Sequence, residues 1–166
     1  MSVGMGPEVF IRPFAPSDAL AFHDLNMGWL TAFFRVEAKD EATLTDSEGT
    51  ILARAGQILL ANIAGRTVGC VALLSMGNDA YEVAKMAVTP EAQGRGVGRR
   101  LLEAAVAWAR DQGARRLYLE SNARLGPALH LYESTGFRHL SPQARPVSPY
   151  ARADVFMEML LEDGSL

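Results

Sequence analysis

Apolar residues along the chain switch between the two-residue spacing of strands and the spacing of helices. "EVFIRPF" (8–14) has strand character, and in the following "APSDALAFHDLNMGWLTAFF" Leu20, Phe22, Leu25, Trp29, Leu30 and Phe33 recur at helical spacing, with Ser17 as N-cap. The polar "RVEAKDEATLTDSEGT" predicts a short second helix before a turn at Gly49. "QILLANIAGRTVGCVALLSM" reads as two antiparallel strands around a turn near Gly65, and "AYEVAKMAVT" as a third after the turn at "GND". Next come alternate glycines, then a helix with Val97, Leu101, Ala104, Ala105 and Trp108 on one face and Gly113 at its stop. "RRLYLES" is a strand, "GPALHLYEST" a helix, and "GFRHL" and "ADVFMEMLL" the last two strands. The order β, α, α, β, β, β, α, β, α, β, β predicts an α/β (α+β) fold of about seven strands and four helices. One long irregular connection, "SPQARPVSPYAR", carries three prolines; loops of that length in a compact fold are often functional.

Composition narrows the picture. A chain of 166 residues, 49% hydrophobic, can bury one sizeable core, so residues 1–166 are expected to form a single domain. The net charge of −3 lacks the basic footprint of a nucleic-acid binder. Cys70, the single cysteine, lies in the apolar run "VGCVALL" and reads as a small buried hydrophobe in a reducing compartment. The opening "MSVGMGPEVFIRPF" has no apolar h-region, and no apolar run is long enough to span a bilayer, so the expectation is a cytoplasmic protein without a membrane partner. His23, His130 and His139 form no paired motif, and no metal site is expected.

The candidate chemistry centres on "AVTPEAQGRGVGRRLLEAA" (87–105). A Walker loop requires Gly-Lys followed by a hydroxyl residue, and no such triplet occurs. For a dinucleotide fingerprint, Gly94 and Gly96 fit the first two positions and Glu120 the ribose-binding acid. However, Arg99 stands where the third glycine belongs, and five residues separate Val88 from Gly94. Three alternate glycines sacrifice backbone entropy that an ordinary helix start does not require, so something approaches the main chain closely. Free amides and the dipole at a helix N-terminus suit an anion such as a pyrophosphate, with Arg95, Arg99 and Arg100 adding positive charge.

Gln93-Gly94-Arg95-Gly96-Val97-Gly98 resembles the pyrophosphate loop of the GCN5-related N-acetyltransferase (GNAT) superfamily. The preceding "AVTP" and a later helix with Ala128, Leu131 and Tyr132 that ends at Gly136-Phe137 extend the resemblance, which runs from about Phe10 to Leu161. It implies a mixed, mostly antiparallel sheet whose two parallel central strands splay apart at the cofactor site. It also implies acetyl-coenzyme A as cofactor, with the pantetheine arm along the backbone of Met86, Ala87 and Val88. At family level only, it suggests a homodimer. Relatives often carry an asparagine three residues before the alanine of the later helix; here Leu125 stands there, and Asn122 is the substitute candidate.

Acetyl transfer to an amine requires a neutral amine, an acceptor for its proton and a proton for the departing thiolate. An alkylamine with a pKa of about 10.4 is neutral in roughly one molecule in 2,500 at pH 7, so a carboxylate base matters most for such acceptors. Glu82 stands eleven residues before Gln93, where the histone-acetylating branch of the family carries its general base; Glu120 is the reserve. By the same resemblance, Tyr132 points at the cofactor sulfur, and a phenol keeps its proton at neutral pH. The resemblance sets the acceptor between Trp29, Phe33, Phe34 and Arg35 on one side and Tyr150 and Arg152 on the other. Arg35, Arg124 or Arg152 facing the cleft would suit a carboxylate-bearing amine. The leading expectation is an acetyl-CoA-dependent N-acetyltransferase for a small-molecule primary amine, with direct attack in a ternary complex. The alternatives are a protein N-terminal or lysine acetyltransferase and a non-catalytic acyl-CoA-binding regulatory module.

Overall fold

The two-residue patterns become one sheet. In the computed structural model, which describes residues 8–161, the strands are β1 (Val9–Pro13), β2 (Gln57–Ile63), β3 (Arg66–Gly77), β4 (Ala80–Val88), β5 (Arg116–Ser121), β6 (Arg138–His139) and β7 (Val155–Leu160). Their order across the sheet is β1-β2-β3-β4-β5-β7-β6. Every neighbouring pair is antiparallel except β4 and β5. The β2–β3 turn is the two-residue kind that matches strand twist, with Ala64 at φ 50° and Gly65 at φ 79°. The helices are α1 (Ala19–Phe33), α2 (Ala38–Thr45), α3 (Ser47–Thr50), α4 (Val97–Asp111) and α5 (Gly126–Thr135). The opening residues 1–7, read above for a leader, lie outside the described residues, and among those described no helix is long and apolar enough to cross a membrane.

Alternation along the strands sorts the core into two layers. Leu59, Val71, Leu73, Val83, Leu117, Leu119 and Met157 pack on the face covered by Val97, Leu101, Leu102 and Ala105 of α4. Ile58, Leu60, Cys70 and Ala72 pack on the other, against Phe22 and Leu30 of α1 and Leu44 of α2. β4 changes sides midway. Tyr81 and Val83 join the α4 layer, and so do Met86 and Val88, whereas Ala87 joins the α1 layer. The reversal comes from an irregular register opposite Cys70–Ala72, where Lys85 adopts φ 55°. An extra residue in one strand of a ladder flips the facing of all that follow.

Three local expectations are corrected. Ser17 does not cap α1: Pro16–Asp18 form a 3-10 turn and Asp18 precedes the helix. The Asp18 carboxylate accepts the Ala15 N–H at 2.8 Å and both guanidinium N–H groups of Arg12 at 2.7 and 2.8 Å, a charge-assisted grip that a serine hydroxyl cannot match. Leu20 and Phe33, on the predicted apolar stripe of α1, are exposed, while polar Asn26 is buried. Asn26 is satisfied there by donating to the Phe22 carbonyl at 3.0 Å and to Cys70 Sγ at 3.4 Å. Gly49 lies inside the single turn of α3, whose N-cap Asp46 accepts the Gly49 N–H.

Candidate active site

The site begins where strand pairing stops. β4 and β5 are paired only through Ala80–Arg116, Tyr81–Leu117 and Glu82–Tyr118. Beyond Glu82, β4 keeps β3 as its partner and β5 keeps β7, which leaves a wedge between the two parallel strands. Met86, Ala87 and Val88 lie on this free length of β4.

The glycine turn follows directly. Gly94 and Gly96 have φ of 79° and 77°, a left-handed backbone that disfavours residues with a Cβ, and a Cβ built on either would meet nothing within 4 Å. Gly96 is the N-cap of α4, and no side chain caps the helix. Its first backbone bond runs from Arg100 N–H to the Gly96 carbonyl at 3.1 Å, so the amides of Val97, Gly98 and Arg99 have no helical acceptor. Gly98 faces α5, where an added Cβ would sit 3.4 Å from Leu131. Gln93 donates to the Val88 carbonyl at 3.3 Å and so joins the turn to β4. Arg99 donates to Ser134 Oγ of α5 and Arg100 to the Val9 carbonyl, while Arg95 is exposed. The Asn122 side chain holds the connection after β5: it donates to the Arg152 carbonyl at 2.7 Å and accepts the Arg124 N–H at 2.8 Å.

Glu82 and Tyr132 sit on opposite faces of the sheet, Glu82 at the last paired position before the wedge and Tyr132 on α5. Tyr132 packs with the α4 layer, its ring edge-on to Phe137 at 6.2 Å. Burial pushes its phenol up to about 12, and its hydroxyl makes no hydrogen bond among the described residues. Glu82 points to the α1 side, because its neighbour Val83 packs in the α4 layer. Burial, reinforced by the charge of Glu120, lifts the Glu82 carboxyl from 4.5 to about 7, against the opposing pull of Lys85 and Lys39. A carboxyl in that range exchanges protons near neutral pH.

The 141–154 connection roofs the α1 side as a strap. Ser148 donates to Glu120 Oε1 at 2.5 Å, and Tyr118 donates to Glu120 Oε2 at 2.8 Å. Arg152 grips Asp40 of α2 through two bonds of 2.6 and 2.8 Å and reaches Glu37 at 3.3 Å. Lys85, turned aside by the irregular backbone, donates to Asp40 at 2.7 Å and to the Tyr150 hydroxyl at 3.0 Å. Asp40 is fully buried; burial opposes its ionisation, but the hydrogen bonds from Arg152 and Lys85 prevail and hold the carboxyl at about 2. Burial lowers the Lys85 pKa despite its bond to Asp40. The Arg124 guanidinium lies 5.4 Å from the Phe34 ring centroid, and Trp29 contacts Phe33 and Phe34. Arg152 is thus already paired with carboxylates, whereas the Arg124 guanidinium meets only a ring and Arg35 is exposed. Asp40, Lys85, Glu37, Tyr118 and Ser148 were not among the residues expected from sequence. Their signal is in three dimensions, since Arg152 and Asp40 are 112 positions apart. Of the histidines, His23 is beside Asp24 and His139 beside Glu133, while His130 is exposed on α5.

Known proteins bear on the whole arrangement. Residues 21–137 match the model of the "Acetyltransferase (GNAT) family". An aminoglycoside N(6')-acetyltransferase type 1 from Stenotrophomonas maltophilia is 32% identical over 136 residues, covering 76% of this chain and 84% of its own. An IAA acetyltransferase from Azospirillum brasilense is 37% identical over 87 residues, 52% of this chain and 57% of its own, and an uncharacterised Escherichia coli N-acetyltransferase, YjgM, is 38% identical over 72 residues, 43% of each chain. The chain thus spans about half the length of these last two relatives. Among solved structures, a GNAT-family acetyltransferase from Staphylococcus aureus Mu50 superposes with a TM-score of 0.84 at 20% identity, over 93% of this chain and all of that one. The yncA protein of Salmonella typhimurium, solved with its cofactor acetyl-CoA, superposes with a TM-score of 0.74 at 21% identity, over 96% of this chain and 97% of its own. The chain belongs to the GNAT acetyltransferase family.

Proposed function

We infer that this chain is an acetyl-CoA-dependent N-acetyltransferase acting on a small-molecule primary amine by direct attack in a ternary complex. One observation carries the reading: the wedge beyond Glu82–Tyr118 opens beside an uncapped glycine turn, with the half-buried carboxyl of Glu82 at its start. The turn fits a diphosphate, because Gly94 and Gly96 leave open space where a Cβ would project and the next three amides lack acceptors. Val97, Gly98 and Arg99 would hold that group through backbone N–H, with the exposed guanidinium of Arg95 adding positive charge from within the turn. The free length of β4 at Met86, Ala87 and Val88 offers main-chain groups to an extended amide-bearing arm, as an added strand would find. Asn122 is left out of this set, since its side chain already holds the loop.

When bound, acetyl-CoA supplies a thioester carbonyl open to attack by an amine. Glu82, directly or through water, takes the proton that the amine loses, and the Tyr132 hydroxyl gives a proton to the departing sulfur. Each side chain is in the right form at neutral pH: a carboxyl balanced near 7 accepts, and a phenol held near 12 still has its proton. A small-molecule acceptor draws support from the aminoglycoside acetyltransferase relative, which covers most of the chain. A cytoplasmic setting is the corresponding expectation.

The test is a thiol-release assay with acetyl-CoA and a panel of aminoglycosides, polyamines, aryl amines, amino acids and peptides. Turnover on non-peptide amines that falls in Glu82→Gln and Tyr132→Phe supports the reading. Turnover on peptides alone transfers the activity to a protein acceptor. Tight coenzyme A binding without turnover on any amine points to the regulatory module.

A further inference from the structure

A second carboxylate stands beside the proposed base. In the parallel register Glu82 is opposite Tyr118, and Glu120, two residues farther along β5, points to the same face of the sheet at the widening mouth of the wedge. The two carboxylates are treated differently. Glu120 is clamped by hydroxyl donors on both oxygens, Tyr118 from its own strand and Ser148 from the strap, and a doubly accepting carboxylate suits that arrangement. Glu82 makes no hydrogen bond among the described residues and is left to respond to its surroundings.

We propose that Glu120 is a positioning residue for the reaction, a clamped negative charge that acts through Glu82 and sets the conditions under which Glu82 takes the amine's proton. This rests on the assignment of Glu82 as the base. The groups around Glu82 are Glu120 and Tyr118 from β5, Lys85 from its own strand, Lys39 from α2, and Tyr150 from the strap, with Asp40 and Arg152 facing Tyr150 from behind. Lys85 is paired with Asp40, and Asp40 with Arg152. Glu120 thus opposes the two lysines, and its charge, added to burial, keeps Glu82 protonatable near neutral pH. The clamp also links the strap to the base: when Ser148 is seated, the charge is fixed, and the acceptor side is roofed by the same contact.

The proposal is tested without knowing the acceptor. Protein labelled with 13C at glutamate carboxyl carbons is titrated by NMR, and the Glu82 resonance is identified by its loss in Glu82→Gln. The wild-type midpoint is expected at about 7. In Glu120→Gln, which keeps the shape and removes the charge, it should fall by about one pH unit, the scale on which a like charge shifts its neighbour. In Glu120→Asp, which keeps the charge, the fall should be clearly smaller. An unmoved midpoint in folded Glu120→Gln, or equal falls in both variants, overturns the proposal. Should Glu120→Gln fail to fold, Ser148→Ala, which frees one carboxylate oxygen but retains the charge, must leave the Glu82 midpoint elevated, and a collapse to the ordinary carboxylate range overturns it. The prior reading fails separately: full turnover in Glu82→Gln removes Glu82 as base whatever the titration gives. Where an amine substrate is in hand, the acid limb of kcat/KM should move to lower pH in Glu120→Gln, a displacement that a merely structural role does not produce.

Discussion

The wedge between β4 and β5 has two sides made of different material. On the α4 side, a ligand is offered main chain: uncapped amides at Val97–Arg99 and two glycines whose value lies in having no side chain. On the α1 side the surroundings are side chains bound in pairs, with fully buried Asp40 between Lys85 and Arg152 and with Ser148 seated on Glu120. A backbone site recognises what all its ligands share, in the proposed reading a diphosphate, and depends on few other parts of the chain. A side-chain site can be altered residue by residue to suit different acceptors, but each alteration disturbs a network that also carries stability.

The largest expected effect falls on the side-chain half. Asp40→Ala leaves largely buried Lys85 with only the Tyr150 hydroxyl and Arg152 with only Glu37, and should cost about 3–5 kcal/mol in urea unfolding, as broken buried pairs do. A loss within error would show that the strap is not held by this network. Next comes the chemistry. Tyr132→Phe should lower kcat by about 100-fold or more, the low end of general acid catalysis, with coenzyme A affinity and melting temperature nearly unchanged because the hydroxyl has no partner to lose. Unchanged turnover would remove Tyr132 from the mechanism. On the backbone half, Gly96→Ala should cost only about 1–2 kcal/mol of stability, from a left-handed residue gaining a Cβ that meets no neighbour. Its coenzyme A affinity should fall about tenfold or more by calorimetry. A variant that is destabilised yet binds normally would separate the turn from the ligand.

The pH dependence of stability compares two carboxyls of opposite behaviour. Glu82, raised from 4.5 to about 7 in the fold, contributes stability that is complete below about 4.5 and lost as pH rises through 7. Asp40, lowered from 3.8 to about 2, contributes stability that is present above 3.8 and lost as pH falls through 2. Glu82→Gln should therefore flatten the stability profile between about pH 4.5 and 7 and leave the acid loss below pH 4 in place. A wild-type profile with no decline across the upper window would contradict the half-buried, protonated form of Glu82.

The same division explains how much could be read from the chain. The element order apart from the single-turn α3 and the boundaries of α5 followed from local periodicity and punctuation, and the glycine turn from a hexapeptide, because each depends on residues close in sequence. Asp18 replaced Ser17 before α1 because Arg12, on the neighbouring strand, turned its carboxylate into a double acceptor. Leu20 and Phe33 fit the helical stripe, but the α1 layer reaches only Phe22, Asn26 and Leu30 as buried positions, and Cys70 from β3 makes polar Asn26 acceptable there. Nothing in "EVAKMAV" marks Lys85 as the residue at which β4 changes faces, and that turn of the backbone is what brings its ammonium to Asp40. The Ser148–Glu120 clamp joins a proline-rich connection to a strand end 28 positions away and has no local signature.

The central claim is that bare amides at the start of α4 hold a diphosphate and so aim a thioester into the wedge. The most direct measurement is a crystal structure of the protein soaked with coenzyme A. Diphosphate oxygens within about 3.2 Å of the Val97, Gly98 and Arg99 nitrogens, with the arm lying along Met86–Val88, is the predicted result. Diphosphate density elsewhere, with those nitrogens facing solvent, would contradict the account.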